Sequence, residues 1–332
     1  MAAGLGTRLR PLTYEIPKPL VPVANRPVME HILRSLAKQG ITDVIANLHW
    51  FPETITNHFG DGSGVGVNLS YSHEEKLLGT AGGVLNVRDY LSADGDPFIV
   101  TAGDALTDID FAALIDAHRA NRENGAVATL TVKRIKDVSE FGVIVTDQEG
   151  RIQGFQEKPD PAEALSDLAN CMIYVLEPEI FDYFPDVEEP DFANDVFPAL
   201  LDAGVPFYVH ESGGYWNDVG SLPELLQGNF DVISGAVAAD ADGTLVAEGD
   251  DEAAAEVLPG DTGWTGPLLL GEGVEIGADV RLDGSVVIGQ GARIGDGARV
   301  KNSVILPGTE VAPQSILVGA IAGRRGGLGG AA

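Results

Sequence analysis

Cysteine is almost absent from this chain: one thiol, Cys171, stands among 332 residues. An intramolecular disulfide is thereby excluded, and a reducing cytoplasm is the expected compartment. Lysine is scarce too, with seven against fourteen arginines, and the 21 basic residues face 50 acidic ones for a net charge of −29. Such a surface repels nucleic acid and anionic lipid, so neither is an expected partner. Any anionic substrate must instead be held locally by the few cations available, and three of them, Arg8, Arg10 and Lys18, cluster near the start. The sequence has no apolar run of about 18 residues that could span a membrane, and no basic-then-apolar leader, so no secretory signal is expected. The six histidines end at His210.

What is present falls into three textures. Residues 1–232 alternate helix-like and strand-like segments. Apolar residues at 28, 29, 32, 33, 36 and 37 form a helical stripe ended by Gly40. Strands are expected at 43–48, 67–71, 98–102, 126–133, 152–156, 171–176 and 207–210, with helices at 81–91 and 111–121. This βα alternation predicts a doubly wound, mostly parallel sheet whose ligands sit at the carboxyl ends of its strands. Residues 233–265, rich in alanine, glycine and acid, read as a linker. From 266 to 320 the period becomes six: Leu270, Ile276, Leu282, Ile288, Ile294, Val300 and Leu306 recur with Val274, Val280, Val286, Ala292, Ala298 and Val304. That is a hexapeptide repeat, expected to coil as a parallel β-helix. Residues 321–332 read as a disordered glycine-rich tail.

The opening turn, Gly4-Leu5-Gly6-Thr7-Arg8, says little alone. It lacks the Gly-Lys-Ser/Thr ending of a P-loop and the third glycine of a dinucleotide fingerprint. Arg8, Arg10 and Lys18, held between Pro17 and Pro19, change its meaning. Glycines let backbone N–H groups approach phosphate oxygens, and arginine grips phosphate with two donors. Asp104 follows the apolar run 98–100, Glu157-Lys158-Pro159 ends another strand, Asn170 opens a third, and Tyr215-Trp-Asn-Asp218-Val-Gly220 follows a fourth. Acids and a lysine gathered at strand ends with a glycine-arginine loop suit phosphate chemistry.

These motifs together, with Leu78-Gly-Thr-Ala-Gly82 and Phe141-Gly-Val143, resemble the sugar nucleotidyltransferase (NDP-sugar pyrophosphorylase) family over residues 1–232. The wording of Pro27-Val-Met-Glu-His-Ile-Leu33 and Gly103-Asp-Ala-Leu-Thr-Asp-Ile-Asp110 is most similar to mannose-1-phosphate guanylyltransferases. The resemblance implies a Rossmann-like α/β catalytic domain of the nucleotide-diphospho-sugar transferase type, followed by a left-handed β-helix serving homo-oligomerisation. It implies transfer of a nucleotidyl group from an NTP to a sugar 1-phosphate, with GTP and mannose 1-phosphate first and glucose with thymine or uracil second. By the same resemblance Asp104 and Asp218 are the Mg2+ ligands. Ala3, Gly4, Gly6, Thr7 and Arg8 hold the nucleotide phosphates, Gly79 and Thr80 border base and sugar, and Lys18 neutralises the α-phosphate. Gly142, Glu157, Lys158 and Asn170 take the sugar phosphate. The catalytic set is Arg8, Lys18, Asp104, Lys158 and Asp218.

Two other functional classes fit the sequence less well. A non-catalytic sugar-nucleotide-binding relative is disfavoured because that whole set is present. A hexapeptide acyltransferase needs a β-helix histidine, and this repeat has none. The family pattern also opens with an apolar strand before the Ala-Gly turn. Met1 stands at that strand's last position, so a central strand is expected to be missing.

Overall fold

The computed structural model describes residues 1–324 and 326–328. Its internal contacts divide it into two compact units: Met1–Gly4, Leu33–Gly103 and Ile109–Trp216 form one, and Leu5–Ile32, Asp104–Asp108 and Asn217–Ala332 the other. The helix Val28–Lys38 buries Val28, Met29, Ile32, Leu33 and Leu36, the stripe expected from sequence. It ends where Gly40 takes φ 81°, a conformation costly for any side chain, while Ile41 N–H reaches back to Leu36 O.

In the first unit, β1 (Asp43–Leu48) and β2 (Asn68–His73) pair in parallel over their full length. A second sheet contains β3 (Phe98–Thr101), β4 (Ala128–Arg134), β5 (Gly142–Thr146), β6 (Ile152–Glu157), β7 (Leu168–Leu176) and β8 (Tyr208–Glu211). β7 pairs antiparallel with β3, β4 and β5, β5 pairs antiparallel with β6, and β8 pairs parallel with β4. The sheet is therefore mixed rather than mostly parallel. The cause is local: the connections 135–141, 147–151 and 158–167 carry no helix, and a parallel return needs a crossover. Met1–Ala3 form no strand. Met1 N bonds Thr101 O at 2.6 Å, Gly103 N bonds Met1 O at 2.8 Å and Ala2 N bonds Asn47 Oδ1 at 2.8 Å, so this tripeptide joins the end of β3 to β1. An aromatic cluster fills the core: the Tyr174 ring meets Phe192 and Phe197, and Phe197 stacks on Phe155 and Phe207. Each such ring contributes roughly 1.5–3 kcal/mol by leaving water.

In the second unit, the hexads become stacked parallel strands consistent with the expected β-helix. β9 (Leu268–Leu270), β10 (Arg281–Ile288) and β11 (Arg299–Ile305) pair successively in parallel, with Leu282 opposite Val300, three hexads on. Leu282, Ile288, Ile294, Val300, Val280, Val286, Ala292 and Ala298 are buried inside. The expected linker is more structured than its composition suggested. Thr244–Val246 pairs antiparallel with β9, the helix Asp251–Val257 starts from an Asp250 cap, and Gly263–Trp264 pairs with β10. Val246 and Ala254 supply buried anchors too sparse to register as periodicity. Order also extends past 320: Ile321–Gly323 pairs with β11 and Gly326–Leu328 folds back on it. The rest of the expected tail, 325 and 329–332, lies outside the described residues. No described helix is long and apolar enough to cross a membrane.

Candidate functional site

The candidate residues form two groups, each inside one unit. In the second unit the glycine turn is shaped by Gly6, at φ 60°. A Cβ there would meet Thr13 Cγ2 at 3.0 Å and Lys18 Cβ at 3.1 Å, so only glycine lets the turn close on the lysine. Thr13 Oγ1 donates to Gly6 O at 2.7 Å, and Thr7 and Arg8 stand exposed on the 3-10 turn Thr7–Leu9. Gly4, which with Ala3 belongs to the first unit, is exposed, and a Cβ added to it would meet nothing within 4 Å.

Lys18 is nearly buried. Its Nζ lies 3.0 Å from Asp104 Oδ2 and donates to Asp218 O at 2.9 Å. Arg8 Nη2 reaches Asp218 Oδ2 at 3.1 Å. Four of the expected residues, Arg8, Lys18, Asp104 and Asp218, are thus brought together as two ion pairs joined through Lys18. The Asp218 loop is strained to achieve this: Val219, β-branched and fully buried, takes φ 45°. Asn217 Oδ1 accepts from Val219 N at 2.7 Å and Asp218 Oδ1 from Gly220 N at 3.0 Å. A Cβ on Gly220 would meet Asp218 Oδ2 at 2.5 Å and Arg8 Cζ at 2.8 Å, so glycine lets the guanidinium lie across the backbone. Sequence reasoning missed Glu224, at the first turn of the helix Leu222–Ile233. Burial pushes its carboxyl up, Asp218 beside it pushes the same way, and its Oε2 is buried with no hydrogen-bond partner among the described residues. The Ser221-x-x-Glu224 pattern signals a capping box, not this placement.

Asp104 and Asp218 offer oxygen donors of the kind magnesium takes, one or two carboxylates with the remaining positions left to phosphate and water. Among the described residues no group of three or more acids, cysteines or histidines is poised to hold a metal.

The first unit holds the other group. Gly142 pairs with Glu157 across β5 and β6, and a Cβ on Gly142 would meet Glu157 Oε2 at 2.9 Å, so the glycine makes room for that carboxylate. Lys158 follows at φ 43°, its N–H on Phe141 O at 3.1 Å and its side chain exposed. Phe141 packs edge-on against Trp216, whose Nε1 is buried with no hydrogen-bond partner among the described residues. Asn170 sits where β7 bulges: its Oδ1 accepts from Met172 N at 3.0 Å and its Nδ2 donates to Tyr174 Oη at 3.0 Å.

Gly79 and Thr80 turn inward. A Cβ on Gly79, at φ 79°, would strike Pro190 O at 2.6 Å. The Thr80 hydroxyl donates to Asp191 Oδ2 at 2.6 Å and accepts from Phe192 N at 3.0 Å. The structure gives Thr80 an anchoring role in the fold, which nothing in the Leu78-Gly-Thr-Ala-Gly82 spacing announces. Asn47 and Glu74 were also missed: Asn47 holds Ala2 N with its oxygen and donates to the buried Glu74 at 2.7 Å, and Glu74 accepts from Leu78 N. Asn47 interrupts an apolar strand, which was the available signal. Cys171 is buried, and burial pushes its thiol up to about 12, as an inert core residue requires.

The chain is similar to known proteins. The profile described as Nucleotidyl transferase matches residues 1–235, and one described as GMPPB C-terminal domain matches 264–332. The chain is 41% identical over 245 residues to a UTP--glucose-1-phosphate uridylyltransferase of Synechocystis, covering 70% of this chain and 62% of that one. It is 37% identical over 290 residues to a mannose-1-phosphate guanylyltransferase of Mycobacterium tuberculosis, covering 86% and 77%. Among solved structures, one from Bacillus anthracis assigned as a glucose-1-phosphate thymidylyltransferase superposes with TM-score 0.60 at 26% identity, over 69% of this chain and 91% of that one. The chain thus spans about three fifths of the Synechocystis relative's length. With the glycine-arginine turn, the Lys18-centred ion pairs and this profile match over residues 1–235, the chain belongs to the nucleotidyl transferase family.

Proposed function

We propose that the chain transfers a nucleotidyl group from an NTP to a sugar 1-phosphate, with GTP and mannose 1-phosphate as the preferred pair, giving GDP-mannose and pyrophosphate. The observation that carries this reading is the Lys18 ammonium bound to both Asp104 Oδ2 and Asp218 O, beside the Arg8–Asp218 pair. Two cations on two carboxylates form a balanced set ready to exchange partners. When a triphosphate binds, Arg8 and Lys18 turn to its oxygens, assisted by the amides of Ala3, Gly4, Gly6 and Thr7, and the aspartates are released. Mg2+, when bound by Asp104 and Asp218, supplies charge neutralisation at the phosphates.

In-line displacement at the α-phosphorus demands positioning and charge, not a covalent partner. Lys18 stabilises charge growing on the α-phosphate. Lys158 grips the sugar phosphate, while Glu157, Asn170 and the Gly142 backbone hold the sugar. The guanylyltransferase of M. tuberculosis, matched over 86% of this chain, supports the base and sugar assignment. A second reading, uridylyl transfer to glucose 1-phosphate, is favoured by the 41% identical Synechocystis relative. Pyrophosphate release measured with four NTPs against mannose, glucose and N-acetylglucosamine 1-phosphates decides between them. Highest kcat/KM for GTP with mannose 1-phosphate supports the first, and UTP with glucose 1-phosphate replaces it. A cytoplasmic homo-oligomer joined through the β-helix completes the proposal.

A further inference from the structure

We propose that Tyr174 is a positioning residue for the sugar, acting through Asn170; this rests on the reading of Asn170 as a sugar ligand. Tyr174 is 1% exposed and ringed by Phe192 and Phe197. A phenylalanine would fill this space equally well, so the hydroxyl needs a reason to be there. Its hydrogen-bond partner is Asn170 Nδ2, at 3.0 Å.

The other end of the amide settles its orientation. Met172 N–H can only donate, and it points at Asn170 at 3.0 Å, so that atom is the oxygen and the nitrogen faces Tyr174. The geometry for this is made by the β7 bulge, where Met172 takes φ 54°. A non-glycine residue held in that region marks a place where the surroundings override backbone preference. With one N–H spent on Tyr174 and one lone pair on Met172, Asn170 keeps one donor and one acceptor side by side. That is the complement of a sugar hydroxyl, which both donates and accepts. Without the Tyr174 hydroxyl the amide rotates more freely, and sugar binding loses its fixed partner.

The test is steady-state kinetics of Tyr174→Phe, Asn170→Ala and the double variant. Tyr174→Phe is expected to raise KM for the sugar 1-phosphate about five- to tenfold, as loss of one buried hydrogen bond implies. KM for the NTP should stay within twofold, and discrimination among sugar 1-phosphates should narrow. In the Asn170→Ala background the Tyr174→Phe effect should vanish, which a merely structural role would not produce. Unchanged sugar KM in Tyr174→Phe, with a raised KM in Asn170→Ala, overturns this proposal. Unchanged sugar KM in Asn170→Ala overturns instead the reading of Asn170 on which it stands. A crystal structure of the unaltered protein with sugar 1-phosphate checks the same point without any variant: Asn170 Nδ2 should bridge Tyr174 Oη and the sugar, and an amide turned away from Tyr174 overturns the proposal.

Discussion

Lys18 Nζ lies 3.0 Å from Asp104 Oδ2, with the lysine side chain 10% exposed and the aspartate 27%. In this setting neither charge is well solvated, so each depends on the other. Lys18→Met should lower kcat for pyrophosphate release about 10²–10³-fold, the usual cost of a lost charge stabiliser. It should also cost about 1–3 kcal/mol of stability by stranding Asp104. Steady-state kinetics and denaturant unfolding check both, and a kcat within threefold of the parent rejects Lys18 as the α-phosphate partner.

Asp104→Ala and Asp218→Ala should each abolish magnesium-dependent pyrophosphate release. Chelation of the unaltered enzyme should do the same, and added Mg2+ should restore it. Near-normal turnover in either variant removes that residue from the metal site.

Gly220→Ala places a Cβ at 2.8 Å from Arg8 Cζ and 2.5 Å from Asp218 Oδ2. Both groups are forced aside while the fold stays intact. The expected result is about a tenfold rise in KM for the NTP, since a displacement of this size at a positioning group is costly, with an unchanged melting profile.

Thr80→Val should behave in the opposite way. Its hydroxyl is spent on Asp191 and Phe192, so the loss should appear as stability, about 1–2 kcal/mol, and not as NTP affinity. A large rise in KM for the NTP with unchanged melting would show that the Thr80 hydroxyl serves the nucleotide and not the fold.

His118 is buried between Thr129 Oγ1 at 3.0 Å and Glu177 Oε1 at 3.2 Å. Burial is the main cause holding its pKa below 6.5, with Glu177 opposing. His31, also buried, is lowered in the same way. For groups depressed in the folded state, the unfolded chain binds more protons below 6.5, so stability falls as pH drops through that value. Melting temperature should decline from pH 7 to pH 5, and His118→Gln should flatten part of that slope. An unchanged slope in the variant would show that His118 does not drive it.

Local pattern carried much of this molecule. The stripe from Val28 to Leu36 and its stop at Gly40 follow from helical period and glycine's conformational freedom. The hexads from Leu270 to Leu306 predict the buried stack because each aliphatic side chain repeats on one face. The residue types at 8, 18, 104 and 218 likewise raise the expectation of anion binding. Pattern did less where small residues dominate, as in 233–265, because a few buried alanines and valines leave no readable period.

Tertiary structure alone decided which remote groups satisfy one another. Spacing shows which way a residue faces along its own element. It does not show that Lys18 meets both aspartates, that Thr80 turns to Asp191, or that the Asn170 amide is held at a bulge by Tyr174. Those pairings are set by the cost of leaving a buried charge or polar group without a partner, which is felt only when distant parts of the chain are folded together. The opening glycine-arginine turn pointed to phosphate binding only in company with Lys18 and the acids at later strand ends. The fold decided that Lys18 rests between the Asp104 carboxylate and the Asp218 carbonyl.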